Sequence, residues 1–190
     1  DESRLKDESV MAYAIENEEG AYTIEFQTDG MFLMESGSAY FSFFTNVTEI
    51  KGLRYIDTSN LTDMTGMFSN MYSLIELDVS NFDTSNVTDM NFMFRNMYSL
   101  TELDDSNFNT SNVTNVRYMF YGMESLTELD ISNFDTSNVT DMIRMFENSS
   151  NLTNITYGDN FVYANSATIT DMYSNCPANK PTDPSWDGVI

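Results

Sequence analysis

Ser59-Asn60-Leu61-Thr62-Asp63-Met64 recurs as Ser85-Asn86-Val87-Thr88-Asp89-Met90, as Ser111-Asn112-Val113-Thr114-Asn115-Val116 and as Ser137-Asn138-Val139-Thr140-Asp141-Met142, each step being 26 residues. A period of this size limits the fold more than composition does. One unit is too small to bury its own apolar face, so neighbouring units must close a shared core. Upstream, Asn46 to Thr58 reads as the second half of an earlier unit. Downstream, Ile169-Thr170-Asp171-Met172 lies 30 residues after Val139-Thr140-Asp141-Met142, which places a four-residue insertion near Tyr157-Gly158-Asp159-Asn160.

Within a unit the apolar residues recur at threes through Val87, Met90, Met93, Phe94 and Met97, the face of a short α- or 3₁₀-helix. Leu74-x-x-Leu77-x-Val79 and Leu126-x-x-Leu129-x-Ile131 carry the extended spacing of a leucine-rich-repeat strand, with Leu and Val inward. The expected fold is therefore an α/β repeat: a leucine-rich-repeat-like right-handed solenoid with one short strand and one short helix per 26 residues. Asp105 stands where Val79 and Ile131 stand; a local shift should leave it partly exposed, because an unpaired buried carboxylate is costly. At the start, Met11, Tyr13 and Ile15 alternate with small or polar residues, a turn follows, and Tyr22, Ile24 and Phe26 alternate again, predicting an N-terminal β-hairpin cap. The expected organisation is an acidic arm and β cap over 1–45, the repeats over 46–176 and a C-terminal cap or linker over 177–190, where Trp186 folds back over the last repeat or leads onward.

The run Phe82-Asp83-Thr84-Ser85-Asn86-Val87-Thr88-Asp89-Met90, then Met93-Phe94-x-x-Met97-x-Ser99-Leu100-x-x-Leu103-Asp104, resembles the bacterial surface proteins with 26-residue repeats, a branch of the BspA-like leucine-rich-repeat proteins. The resemblance spans about residues 46–180, including Met172-Tyr173-Ser174-Asn175-Cys176-Pro177. It implies an extracellular protein, secreted or on a bacterial cell surface, that binds a host or neighbouring-cell surface or matrix protein and has no enzymatic activity. Met71, Met97 and Met123 stand where such proteins often carry Cys, which leaves that position a packing role.

Composition agrees with a binding role. The chain has no histidine, which excludes imidazole catalysis and imidazole metal sites, and its lone Cys176 can form neither an intrachain disulfide nor a thiolate zinc site. A formal charge of -22 repels nucleic acid and acidic membrane surfaces, and no run is long and apolar enough for a membrane helix. Glu76, Glu102 and Glu128 form one acidic column and Asp78, Asp104 and Asp130 another. A flat row of carboxylates would hold calcium only weakly, and it reads first as a solvated face; no metal or other cofactor is expected. The acids repeat in equivalent settings, so none forms the unequal pair that acid–base catalysis needs.

Positions that vary between repeats carry the candidate contact surface. Phe92, Arg95, Tyr98, Arg117, Tyr118, Tyr121 and Arg144 concentrate the residue types enriched at interface hot spots. The competing reading is that this solvent side drifts and that some of these rings merely cover neighbouring repeats. A spacer that projects another domain, with no ligand of its own, is the alternative function.

Overall fold

The computed structural model describes residues 11–18, 20–27, 32–34, 36–164 and 166–186; the expected acidic arm over residues 1–10 lies outside them. Strands β1 (Met11–Glu16) and β2 (Tyr22–Gln27) pair antiparallel as a hairpin, with Met11 opposite Gln27 and Glu16 opposite Tyr22. On its other edge β2 pairs in parallel with β4 (Val47–Lys51). The short β3 (Phe32–Leu33) pairs with β5 (Ile56–Asp57). Strands β6 (Glu76–Asp78) and β7 (Glu102–Asp104) form one two-stranded parallel sheet, and β8 (Glu128–Ile131) and β9 (Asn154–Tyr157) form another. Leu77, Val79, Leu129 and Ile131 point into the core, while Glu76, Asp78, Glu128 and Asp130 face solvent.

The expected leucine-rich-repeat solenoid is not what forms. Small strands fall into four separate sheets, and the only helical residues among those described are two single 3₁₀ turns, Leu53–Tyr55 and Pro184–Trp186. The reason is written in the backbone of the segments expected to be helical. Each has two residues in the left-handed region four positions apart: Gly66 and Asn70, Phe92 and Asn96, Tyr118 and Gly122, Arg144 and Asn148. A right-handed helix cannot pass through such residues. Their N–H groups bond instead to the next repeat. Met90, Phe92, Phe94 and Asn96 donate to the carbonyls of Asn115, Arg117, Met119 and Tyr121 at 3.0, 2.9, 3.0 and 2.8 Å. Alternate residues close local turns, Met93 to Met90 and Arg95 to Phe92. The spacing of three marks these tight turns, and a parallel ladder between repeats replaces the helix.

Side chains finish the backbone accounting at the bends. The buried hydroxyl of Thr84 donates to the Asn109 carbonyl at 3.0 Å and accepts from the Asn109 N–H at 2.8 Å, and Thr110 treats Asp135 the same way. Asn86, Asn112 and Asn138 each donate to a serine carbonyl of the preceding repeat, Ser59, Ser85 and Ser111, at 2.8 Å. Asp57, Asp83 and Asp104 accept from Ser59, Ser85 and Ser106, and these bonds hold the three carboxyls below their ordinary range. Their contribution to stability is present above the unfolded carboxyl pKa and is lost on acidification.

The core is continuous through the repeats, and its axis is a column of rings. Phe41, Phe68, Phe94, Phe120, Phe146 and Tyr173 stack at centroid separations of 5.0, 6.0, 5.7, 5.7 and 5.2 Å. Met71, Met97 and Met123 are fully buried beside them. This column sets the register of the last repeat. Tyr157 still pairs with Ile131 in the ordinary register, but Thr168, not Asp171, bridges Asp141, and Tyr173 stacks on Phe146, so the chain gains one residue, between Tyr157 and Phe161, rather than the four that the Ile169–Met172 motif suggests. Filling the aromatic slot outweighs matching the local Thr-Asp-Met run. Gly158 is required where the chain returns, since a Cβ there would lie 1.9 Å from the Ser132 carbonyl oxygen. Trp186 folds back, stacked on Phe161 at 5.4 Å, with its Nε1–H donating to the Phe161 carbonyl at 3.0 Å.

Asp105 is not relieved by a shift toward solvent: it is 2% exposed, and its Oδ2 has no hydrogen-bond partner. Instead the ladder breaks beside it, since β7 and β8 do not pair, and Leu103 is less buried than Leu77 or Leu129. Burial, aided by Asp104 and Asp130, pushes the Asp105 carboxyl up to about 7. Its folded pKa exceeds the unfolded one, so its neutral form costs nothing extra below pH ~4, and stability is lost as pH rises from there to about 7, by on the order of 4 kcal/mol at 1.36 kcal/mol per unit. Asp105→Asn should abolish that part of the decline, read as the difference between variant and parent urea midpoints at pH 4.5 and pH 8; parallel profiles would contradict the buried carboxylate. In the ring column, Phe94→Ala should cost about 3–5 kcal/mol by the same unfolding measurement, because both neighbours lose a packed face.

Candidate partner-binding site

The residue after each turn opening occupies the first left-handed position, held successively by Gly66, Phe92, Tyr118 and Arg144 with φ of 59, 59, 55 and 56°. Three of the seven candidate residues therefore sit where glycine is the stereochemically easy choice, and for a bulky side chain such a backbone is unfavourable. The rings stack across repeats, Phe92 on Tyr118 at 5.1 Å, with Tyr121 edge-on to Tyr118 at 5.4 Å. Tyr98 stacks on Tyr72 at 5.0 Å in the adjoining column and is 37% exposed. Burial, then the neighbouring Tyr72, raises the Tyr98 hydroxyl's pKa.

Three guanidinium groups lie over these rings. Arg95 is 5.4, 5.9 and 5.5 Å from the centroids of Phe92, Tyr118 and Tyr121. Arg117 and Arg144 are 5.0 and 5.8 Å from Tyr118. Their commitments differ. Arg144 donates to the Tyr118 hydroxyl at 3.2 Å and pairs with Glu147 at 3.3 Å and Asp171 at 3.2 Å, and these partners, Tyr118 first, hold its pKa above the ordinary value. Arg117 lies 3.8 Å from Asp141. Arg95 has no ion pair among the described residues, and its Nε is buried without a hydrogen-bond partner. A weakly hydrated, planar cation over ring faces gains about 0.5–2 kcal/mol there and keeps its outer N–H groups for a carboxylate.

The structure thus brings Phe92, Arg95, Arg117, Tyr118, Tyr121 and Arg144 into one cluster and Tyr98 into the stack beside it. Most are half-buried, so the rings do cover neighbouring repeats while presenting a formed surface. Three of the chain's eight Lys and Arg residues meet in this cluster, against a net charge of -22. Sequence reasoning missed the supporting shell: Asn148, which donates to the Tyr121 hydroxyl at 2.8 Å, and Glu147 and Asp171, which hold Arg144. The 26-residue column was the available signal for Tyr72, but nothing marked Asp171, whose register differs from that of its motif. On the strand side Glu76 pairs with Glu102 and Asp78 with Asp104 in register, and no three His, Cys, Asp or Glu side chains among the described residues converge as metal ligands would.

Residues 38–157 and 78–186 match the family described as Mycoplasma protein of unknown function, DUF285. The chain belongs to this family. The matched stretches together run through the first turn segment, the ring and guanidinium cluster and the buried Trp186, so in this DUF285 chain the cluster is part of the family region. No curated protein and no solved structure matches it.

Backbone geometry makes the cluster testable without a ligand. Phe92→Gly relieves the left-handed position and loses one stacked ring, leaving stability within about 1 kcal/mol of the parent, whereas Phe92→Val keeps apolar bulk but places a β-branched residue at φ 59° and should lose about 1–2 kcal/mol. Thermal melts of the two variants check the order; Val more stable than Gly would contradict it.

Proposed function

We propose that the chain is a non-enzymatic extracellular repeat scaffold that binds another protein at the bacterial cell surface, through the face carrying Phe92, Arg95, Tyr98, Arg117, Tyr118, Tyr121 and Arg144. The observation that carries this reading is the uncommitted Arg95 guanidinium over three rings on an otherwise strongly acidic chain. Rings and an arginine held rigid by stacking lose little freedom on binding, which is how hot spots contribute most per residue. The favoured partner presents a carboxylate to Arg95 and an apolar or aromatic group to Tyr98, as a host or neighbouring-cell surface or matrix protein can. Membership of DUF285, with repeats that resemble those of BspA-like surface proteins, supports the surface location. The acidic strand face serves solubility and steers like-charged partners away.

The test uses the immobilised chain against purified matrix and serum proteins by surface plasmon resonance, with and without a calcium chelator. The expected result is saturable binding to one of them, weakened at least tenfold, about 1.4 kcal/mol, by Arg95→Ala or Tyr98→Ala, and unchanged by the chelator. Binding that survives both substitutions would move the site elsewhere, and no binding across the panel would favour the spacer.

A further inference from the structure

The ladder between repeats has a direction, and that direction leaves the two ends of the repeat array unlike each other. In each turn segment alternate N–H groups donate to the repeat that follows, while alternate carbonyls accept from the repeat before: Ala39, Phe41 and Phe43 donate to Thr65, Met67 and Ser69 at 2.7, 2.8 and 3.0 Å. The first turn segment therefore keeps the carbonyls of Ser38, Tyr40 and Ser42, for which no donor is present among the described residues. The last keeps the N–H groups of Asp171, Tyr173 and Asn175, which have no acceptor among the described residues. The open acceptors and the open donors have the same two-residue spacing as the pairs made inside the chain.

Among the described residues both ends cap the strand side and leave this turn side open. At the beginning, β2 covers the edge of β4 and β1 covers β2. At the other end the Asn179 side chain bonds both the N–H and the carbonyl of Ile155, at 2.7 and 2.8 Å, and Trp186 covers Phe161. Among the described residues no such device protects the turn segments. Beside the free carbonyls lies a groove of about 570 Å³ lined by Tyr13, Ile24, Tyr40, Phe41, Phe43 and Phe44 among others. Phe43 is 66% exposed, Phe44 46% and Tyr40 44%. Phe43 also adopts φ 65° where the later repeats have Asn70, Asn96, Gly122, Asn148 and Asn175, so an unfavourable backbone holds an exposed ring at this end. At the opposite end the free N–H groups border a cavity lined by Thr170, Asp171, Tyr173, Ser174 and Lys180.

We propose that this chain associates head to tail with a second copy of itself, the first turn segment of one copy continuing the ladder from the last turn segment of another. Complementarity identifies the occupant: within the molecule, the partner of such an acceptor row is the donor row of a neighbouring turn segment, and each copy offers one of each. Lys180, whose ammonium lies 5.1 Å from the Tyr173 ring centroid, supplies a cation where the carbonyl row arrives. The contact joins two different surfaces, so it leads to open chains rather than closed dimers. It uses the Asp171 N–H, whose side chain holds Arg144, but neither Arg95 nor the rings, so it can be tested separately from partner binding. Two chains of charge -22 repel, and screening over a Debye length of about 8 Å at physiological salt, shorter at high salt, must strengthen the association.

Sedimentation velocity from 10 to 500 µM, in about 20 mM and 500 mM NaCl, should show a weight-average coefficient that climbs with concentration without a plateau at the dimer, with association at least tenfold tighter at the higher salt. Two doubly substituted chains block one end each at exposed positions: Phe43→Asp with Phe44→Asp, and Thr170→Glu with Ser174→Glu. Circular dichroism matching the parent shows that each is folded. Each alone should stay monomeric, and an equimolar mixture should form a dimer and nothing larger, because one open donor row then meets one open acceptor row. A parent that remains monomeric at 500 µM in high salt, a blocked chain that associates like the parent, or a mixture that does not dimerise would each overturn the proposal.

Discussion

Everything in this molecule depends on where the amides of the turn segments send their hydrogen bonds. A segment such as Met90 to Met97 has the apolar content of a helix, yet every second N–H leaves the segment and ends on the following repeat. An unpaired buried amide would cost about 1–3 kcal/mol, so a repeat that gives its amides away is stable only against its neighbour. Stacking of the phenylalanine column and bridging by Thr84 and Thr110 follow from the same spacing between repeats, because both need the next unit at a fixed distance and register.

The left-handed residues connect this backbone to the candidate contact surface. They terminate each turn and free the amides for the ladder, and they occur in two columns with different tenants. One column holds Asn or Gly through most of the array, as backbone preference would select. The other holds Ala39, Gly66, Phe92, Tyr118, Arg144 and Asp171, so side chains are tolerated there against preference, and three of them, Phe92, Tyr118 and Arg144, meet in the ring and guanidinium cluster. Strain of this kind persists only where the surrounding structure holds it, here the ladder between repeats, and it is one of the observations behind the proposed contact surface.

Much of this was legible in the sequence. The 26-residue period, the strand positions at Leu77 and Leu129, the antiparallel hairpin and the grouping of six of the seven candidate residues follow from spacing alone, because spacing reports which residues share a face. The helices were not legible in their true form: consecutive tight turns and a 3₁₀-like helix both repeat at three residues, and only the backbone angles at Phe92 and Asn96 separate them. The register of the last repeat was hidden because a short polar motif, Thr170-Asp171-Met172, competes with an aromatic slot that only packing reveals. Asp105 is hidden for a related reason: the cost of burying an unpaired carboxylate predicts a shift toward solvent, whereas Asp105 stays in the core and the strand ladder breaks beside it.

The direct test of the ladder is a scalar coupling across the hydrogen bond, measured by NMR on labelled protein, from the Phe94 amide nitrogen. The ladder predicts coupling to the carbonyl carbon of Met119, with matching couplings from Phe92 to Arg117 and from Phe120 to Met145, and a far-UV spectrum without a helical signature. Coupling from Phe94 to the carbonyl of Met90, four residues earlier in the same segment, would show a helix there and contradict the account.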